Sequence, residues 1–508
     1  MPAAARAFAR AILPVAALLL FTPRPALAHL HLRHAEPAAD ATLTTVPREI
    51  RLAFTEPVQL AISAVTLTGP DGAPVALGTL AVDPASSRTL VATIGGALRA
   101  GRYTVTWRTA SPDGHPVRGH YSFVIAEGAA GLAVTAPSPP ASVSTDSGAG
   151  ARSPTAAGES AAAPAPATQA AGDSAATAVF DVDSPLYAAV RWLGYAVLIT
   201  LAGTVVFTRL VVPRAAALGL DDPLLVDRAA SRAARVGWIA GWLLVVDVVL
   251  RLLAQAYAVS GGAAPGGGAV AALITGTVWG WGWMLEAAAA LLAVFALGRA
   301  RRGHAGGWGA AGIAVLALAL SLALSGHAVA SPHFPALLVL ADAVHVLAAS
   351  GWLGTLLAVA VVGIPVALAA AEEERGRAVA RLVNAFSPLA LTCAALLALT
   401  GVIAGWVHLG TLGALGTSEY GRVLVIKLGV IALLAALGAV NWRVLRPALG
   451  DVAAARRLRR SATAELVMGA VVLAVTAVLV ATPPPAENGA GGSGGAGGAT
   501  AAAHADRR

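Results

Sequence analysis

The chain has 508 residues, 57% of them hydrophobic and 12% charged, with a formal net charge of +8. The excess of basic residues does not mark a nucleic-acid-binding protein. Arginines cluster in alternate loops between apolar runs, which is the positive-inside pattern of a membrane protein. The single cysteine, Cys393, excludes an intramolecular disulfide.

Residues 1–28 read as an export signal. Arg6 and Arg10 precede the apolar run from Ala11 to Phe21, and Ala26-Leu27-Ala28 is a small-x-small cleavage site. Cleavage there makes His29 the first residue, with a free amine beside its imidazole. From His29 to Ala126 the chain is predicted to form an extracytoplasmic all-β domain. Glu49 to Phe54, Ala64 to Thr68, Thr89 to Ile94, Tyr103 to Thr109 and Tyr121 to Ile125 read as strands. In one of them Tyr103, Val105 and Trp107 alternate toward a core, with Thr104, Thr106 and Arg108 outward. Gly69-Pro70-Asp71-Gly72 and Pro112-Asp113-Gly114 read as turns. The pattern predicts a Greek-key or immunoglobulin-like sandwich that is held by its core alone.

Residues 127–183 are rich in Ala, Pro, Ser, Thr and Gly and read as a disordered tether, and 483–508 read as a similar tail. Between them, 184–482 is predicted to be an all-α polytopic membrane domain. It holds eight spans, at about 186–212, 235–258, 271–297, 308–326, 336–365, 386–408, 422–446 and 463–481. The loops at 259–270, 327–335 and 409–421 contain no Lys or Arg, whereas the alternate loops are arginine-rich. This places the N-terminal domain and the C-terminal tail outside a bacterial cytoplasmic membrane, since an error of one span would invert the asymmetry.

The α-amine and imidazole of His29 close a chelate ring. Asp113 and His115, two apart across a glycine-containing turn, supply an oxygen and a second imidazole. Alone, Asp113-Gly114-His115-Pro116 reads as a surface turn. With His29 the set offers three nitrogens and one oxygen, which suits tetragonal Cu(II) better than tetrahedral Zn(II). His31 and Glu56 are accessory candidates, although Glu56 also reads as a strand-end carboxylate before Pro57.

The segments His29-Leu30-His31-Leu32, Glu36-Pro37-Ala38-Ala39-Asp40, Arg51 to Val58 and Ser111 to Gly119 resemble the CopC family of periplasmic copper-binding proteins. The resemblance implies that His29, Asp113 and His115 bind Cu(II). It departs from the Met-rich members: the chain has only Met1, Met284 and Met468, so no thioether site for Cu(I) is expected in the sandwich.

In the membrane half, ionisable groups at membrane depth are costly and so stand as functional candidates. Asp342 and His345 share a helical face, roughly 10 and 15 Å below the outer surface at about 1.5 Å per residue. His327 and His333 lie in the outer loop above them, and His408 ends the sixth predicted span. These five form a candidate copper path. Asp247 is expected to pair with Arg251, and Lys427 with Glu465; Glu286 has no evident partner. Cys393 reads as a small core residue. Gly326-His327-Ala328, Asp342-Ala343-Val344-His345, Ser350-Gly351-Trp352-Leu353-Gly354, Tyr420-Gly421-Arg422 with Lys427, Asn441-Trp442-Arg443, and Arg459-Arg460-Ser461 with Glu465 resemble the CopD copper-resistance family. The whole chain is similar to CopC–CopD fusions of the YcnJ type.

The expected function is copper handling: the outer domain captures Cu(II), and the membrane domain takes copper into or across the bilayer. The oxidation state of copper in the membrane domain and the direction of movement are open at this point. No Walker motif or Asp-Lys-Thr sequence occurs, so neither ATP-driven pumping nor enzymatic activity is expected. The alternative is a haem-binding membrane redox protein, with His345 and either His327 or His408 as ligands, that reduces Cu(II) or carries electrons. A third reading is a buffer or sensor without flux.

Overall fold

The computed structural model describes residues 30–110, 114, 116–131, 184–220, 222–304, 306–326, 335–409, 411–445 and 452–482. The predicted signal peptide and C-terminal tail lie outside the described residues, as does most of the predicted tether.

The N-terminal part is a two-sheet sandwich. Its strands are β1 (Leu32–Glu36), β2 (Thr42–Thr45), β3 (Glu49–Phe54), β4 (Ala64–Thr68), β5 (Pro74–Val75), β6 (Ala81–Asp83), β7 (Ser86–Thr93), β8 (Gly101–Ala110) and β9 (Pro116–Ala130). One sheet has the order β1-β3-β7-β6 and the other β2-β9-β8-β4-β5. All pairings are antiparallel except β2 with β9. Alternation decides the facing: Tyr103, Val105 and Trp107 are buried, as expected, and meet Ile50, Leu52 and Phe54 of the other sheet. Phe54 packs edge-on to Trp107 at 5.1 Å, and Tyr103 stacks on Phe123 at 5.6 Å. The Tyr103 hydroxyl also closes the turn before its own strand, accepting from Arg99 N and donating to Arg99 O. The short strands β1, β2, β5 and β6 carry little alternation and are found only through their pairing. β9 runs past Ala126 to Ala130, where Ala129 enters the core and Ala130 pairs with Thr45.

The second part is helical and, among the described residues, has eight helices long and apolar enough to cross a membrane. In chain order, with one shorter helix, they are α1 (Pro185–Ala217), α2 (Pro223–Val259), α3 (Gly267–Gly276, the short one), α4 (Val278–Arg301), α5 (Gly306–Leu324), α6 (Pro335–Ala367), α7 (Arg375–Leu409), α8 (Glu419–Val444) and α9 (Arg460–Leu479). The third span differs from the expected 271–297. Thr277 has extended backbone and caps Gly280 N with its hydroxyl, so residues 267–276 become a separate helix. Large apolar side chains such as Leu243, Phe295 and Ile313 face outward, as a lipid-facing surface requires.

The Ser350-Gly351-Trp352-Leu353-Gly354 segment is a π-helical turn within α6. There α6 crosses α1 with their backbones almost touching: a Cβ added to Gly203 would lie 2.1 Å from the Gly354 carbonyl carbon. Small residues permit that approach, the usual means of packing helices where apolar burial offers no advantage over lipid.

Candidate metal site and membrane path

β8 and β9 are paired as far as Ala110 and Pro116, and Gly114 is the described residue of the connection between them. His29, Asp113 and His115 lie outside the described residues. The two accessory candidates are within them, and the fold brings them to one end of the β1–β3 pair. His31 donates from its backbone N to Thr55 Oγ1 at 2.9 Å, and Thr55 N donates to His31 O at 3.0 Å. Glu56 follows directly, and Leu30 is fully buried beside them in the core.

Gly114, at the centre of the turn, is described, buried and in the left-handed region at φ +83°. It does not face solvent. A Cβ there would lie 2.8 Å from Cβ of Trp279 at the start of α4, so this position favours glycine twice over. Its carbonyl accepts from Gln255 Nε2 at 2.6 Å, near the end of α2. Around this contact Ile62 and Ala110 of the sandwich pack with Ala256, Val259, Leu273 and Trp279 of the helices. Gln59 donates to Gly276 O at 2.9 Å, and Arg108 donates to Ser260 O. The sandwich therefore sits on the ends of α2, α3 and α4, with the turn in the joint.

Below the joint the charges pair differently from expectation. Arg251 forms its ion pair with Glu286 of α4 and not with Asp247, and both members are largely buried. Asp247 is completely buried, and neither of its carboxylate oxygens has a hydrogen-bond partner among the described residues. Near the other end of the bundle Glu465 accepts from Asn441, while Lys427 is within electrostatic reach of Asp342 and His345.

Asp342 and His345 share one face of α6, as the spacing predicts. Asp342 lines a small cleft between α6 and α7 with Leu338, Ala341, Thr400, Ile403, Ala404 and His408. His345 Nδ1 lies 2.7 Å from Thr400 Oγ1. The Thr400 hydroxyl proton is already directed to Leu396 O at 2.8 Å. With that proton on Leu396 O, Thr400 can accept from His345 Nδ1–H, the tautomer in which the Nε2 lone pair is available to a metal. The His408 ring lies 6.2 Å from that of Tyr420 on α8. His327 and His333 lie outside the described residues, but a Cβ on the neighbouring Gly326 would sit 4.0 Å from Asp342 Oδ2. Among the described residues no three His, Cys, Asp or Glu side chains converge on one point.

Residues 32–126 match the family model of the CopC domain. Residues 181–334 match that of the copper resistance protein D-like N-terminal domain, and 380–479 that of copper resistance protein D. Protein YobA of Escherichia coli is 36% identical over 98 residues, 19% of this chain and 79% of the relative. The chain belongs to the CopC–CopD copper-resistance family. Copper transport protein CutJ of Bacillus subtilis is 24% identical over 477 residues, which covers 92% of this chain and 77% of CutJ. Among solved structures, selenomethionine PcoC, a copper resistance protein from Escherichia coli, is 31% identical. It matches 19% of this chain and 99% of its own, with a TM-score of 0.18.

Three residues of this CopC–CopD protein escaped the sequence reading, Trp279 and Gln255 at the joint and Tyr187 behind them; Lys427, expected to pair with Glu465, is within electrostatic reach of Asp342. Gln255 and Tyr187 carry the signal that was available, as polar side chains one turn from the outer ends of apolar spans. Their spacing pointed to no ligand chemistry, and only the docked sandwich gives them a role.

Proposed function

We propose that the protein is a copper carrier. The sandwich captures Cu(II) on the outer side through His29, Asp113 and His115, and the membrane domain moves copper into or across the bilayer without enzymatic chemistry. The observation that carries this reading is the seating of Gly114 between Gln255 and Trp279. A capture turn held against the membrane helices can release its cargo where the helices begin. The name of CutJ, a copper transport protein, supports flux over storage. Asp342, His345 and His408, with His327 and His333 above them, offer oxygen and imidazole donors further along. The joint puts the sandwich on the Arg-free loop side, which supports an extracytoplasmic N-terminal domain and tail.

The test is copper flux into vesicles that contain the purified full chain. Flux that falls on His29→Ala and on His345→Ala supports the reading. Tight Cu(II) binding with no flux in either direction overturns it in favour of a buffer.

A further inference from the structure

A polar seam runs inward from the joint between α1, α2 and α4. On α1, Tyr187, Arg191 and Tyr195 lie at successive four-residue steps; on α2, Gln255, Arg251 and Asp247 do the same in the opposite direction. The outer ends are linked, since Tyr187 donates its hydroxyl to Gln255 Oε1 while Gln255 donates to Gly114 O. The Arg191 guanidinium stacks over the Tyr187 ring at 4.1 Å. One turn in, Arg251 is paired with Glu286 of α4. The seam ends at Asp247, eight residues along α2 from Gln255, or about 12 Å at the helical rise.

Arg191 Nη1 is buried without a hydrogen-bond partner among the described residues, and so are both carboxylate oxygens of Asp247. Asp247 is completely buried, and its Oδ2 is pressed against Gly194, where a Cβ would come within 2.3 Å. The charged groups within electrostatic reach of it are Arg251 on its own helix and Glu286 on α4; Tyr187, Arg191 and Tyr195 are the titratable residues along this stretch of the neighbouring α1, and α5 has none. Arg251 is within electrostatic reach of Asp247 but makes its close contact with Glu286. An ionised carboxylate with no donor at membrane depth is strongly disfavoured, so the group must hold a cation of its own. A copper ion does not fit, because the described residues of the seam include no thiol, thioether or imidazole, and the Arg251 guanidinium stands beside the site. A proton needs only one lone pair.

We propose that Asp247 is a proton-binding site, reached from the outer face through the Tyr187–Gln255 end of the seam, and that copper movement is coupled to its protonation. A proton from outer water adds to a carboxylate oxygen and leaves again as the same proton, so no other reactant is consumed. The coupling rests on the copper-carrier reading; the proton site does not.

Two measurements on the full chain in vesicles test it. Infrared difference spectra of the wild type are expected to contain the carbonyl band of a protonated carboxyl group, lost in Asp247→Asn and shifted but present in Asp247→Glu. A wild type without that band, or a band that persists in Asp247→Asn, overturns the proton site. With the membrane potential clamped, a pH gradient of one unit is expected to drive about tenfold copper accumulation per coupled proton. That accumulation should fall to about onefold in Asp247→Asn and survive in Asp247→Glu. An unchanged gradient response in Asp247→Asn overturns the coupling. Wild-type vesicles that keep the band but move no copper overturn the coupling and the carrier reading while leaving the proton site standing.

Discussion

Gln255 reaches out of the membrane domain and donates to the carbonyl of Gly114, 141 residues earlier in the chain, over 2.6 Å. One amide thereby joins Gly114, between β8 and β9, to the end of a membrane-spanning helix, and its oxygen is held in turn by Tyr187. Both groups are buried, so the bond is shielded from water.

Breaking this joint should separate capture from movement. Gln255→Leu leaves the Gly114 carbonyl buried without a donor, at a cost of about 1–3 kcal/mol. Gly114→Ala adds about 1–2 kcal/mol of left-handed backbone strain and forces Trp279 to shift. Each variant is expected to expose the Ser111–Pro116 segment to limited proteolysis and to slow copper flux. Proteolysis and flux at wild-type rates would show that the joint has no part in transfer.

The N-terminal chelate has its own test. His29→Ala, or a change at Ala28 that blocks signal cleavage, is expected to weaken Cu(II) binding sharply while the sandwich still folds. Titration followed by the Cu(II) electron paramagnetic resonance spectrum reads the loss. Undiminished binding in the uncleaved chain would remove the α-amine from the ligand set.

Thr400 can hold the His345 ring in the tautomer that presents Nε2. In a chain already carrying His29→Ala, Thr400→Val is expected to lower residual copper affinity about 10–100-fold, as loss of an orienting partner does. Thr400→Ser, which keeps the hydroxyl, should restore it. Equal affinities in the two variants would mean that the hydroxyl does not orient the ligand.

Tyr121 gives the sandwich a pH dependence. Its hydroxyl is buried without a hydrogen-bond partner among the described residues, and burial pushes the phenol above its ordinary 10.0. The folded state therefore holds the proton where the unfolded state has lost it. This stability is fully present below pH 10 and is lost as pH rises above it, by at most about 1.4 kcal/mol per pH unit. Residues 29–131 expressed alone, as the matching sandwich largely is in YobA, should melt at lower temperature as pH rises from 10. Tyr121→Phe should flatten that fall and be neutral or slightly stabilising at pH 7. A parallel fall in both proteins would assign the effect to other groups.

Several features of this chain were decided by local order. Alternation placed Tyr103, Val105 and Trp107 in the core, because a strand turns successive side chains to opposite faces whatever it packs against. Hydropathy and the arginine-free loops counted eight spans, because a bilayer imposes length and charge on each segment separately. The four-residue spacing of Asp247 and Arg251 put them correctly on one face of α2. It could not say that Arg251 turns to Glu286, since the choice among partners depends on which helices touch. The same limit hid Lys427 from Asp342 and left Gln255 and Tyr187 without meaning. Those relationships join residues dozens to hundreds apart in sequence, and only the packing of α1, α2 and α4 beneath the sandwich brings the Gly114 turn, an ion pair and a carboxylate unpartnered among the described residues into one line.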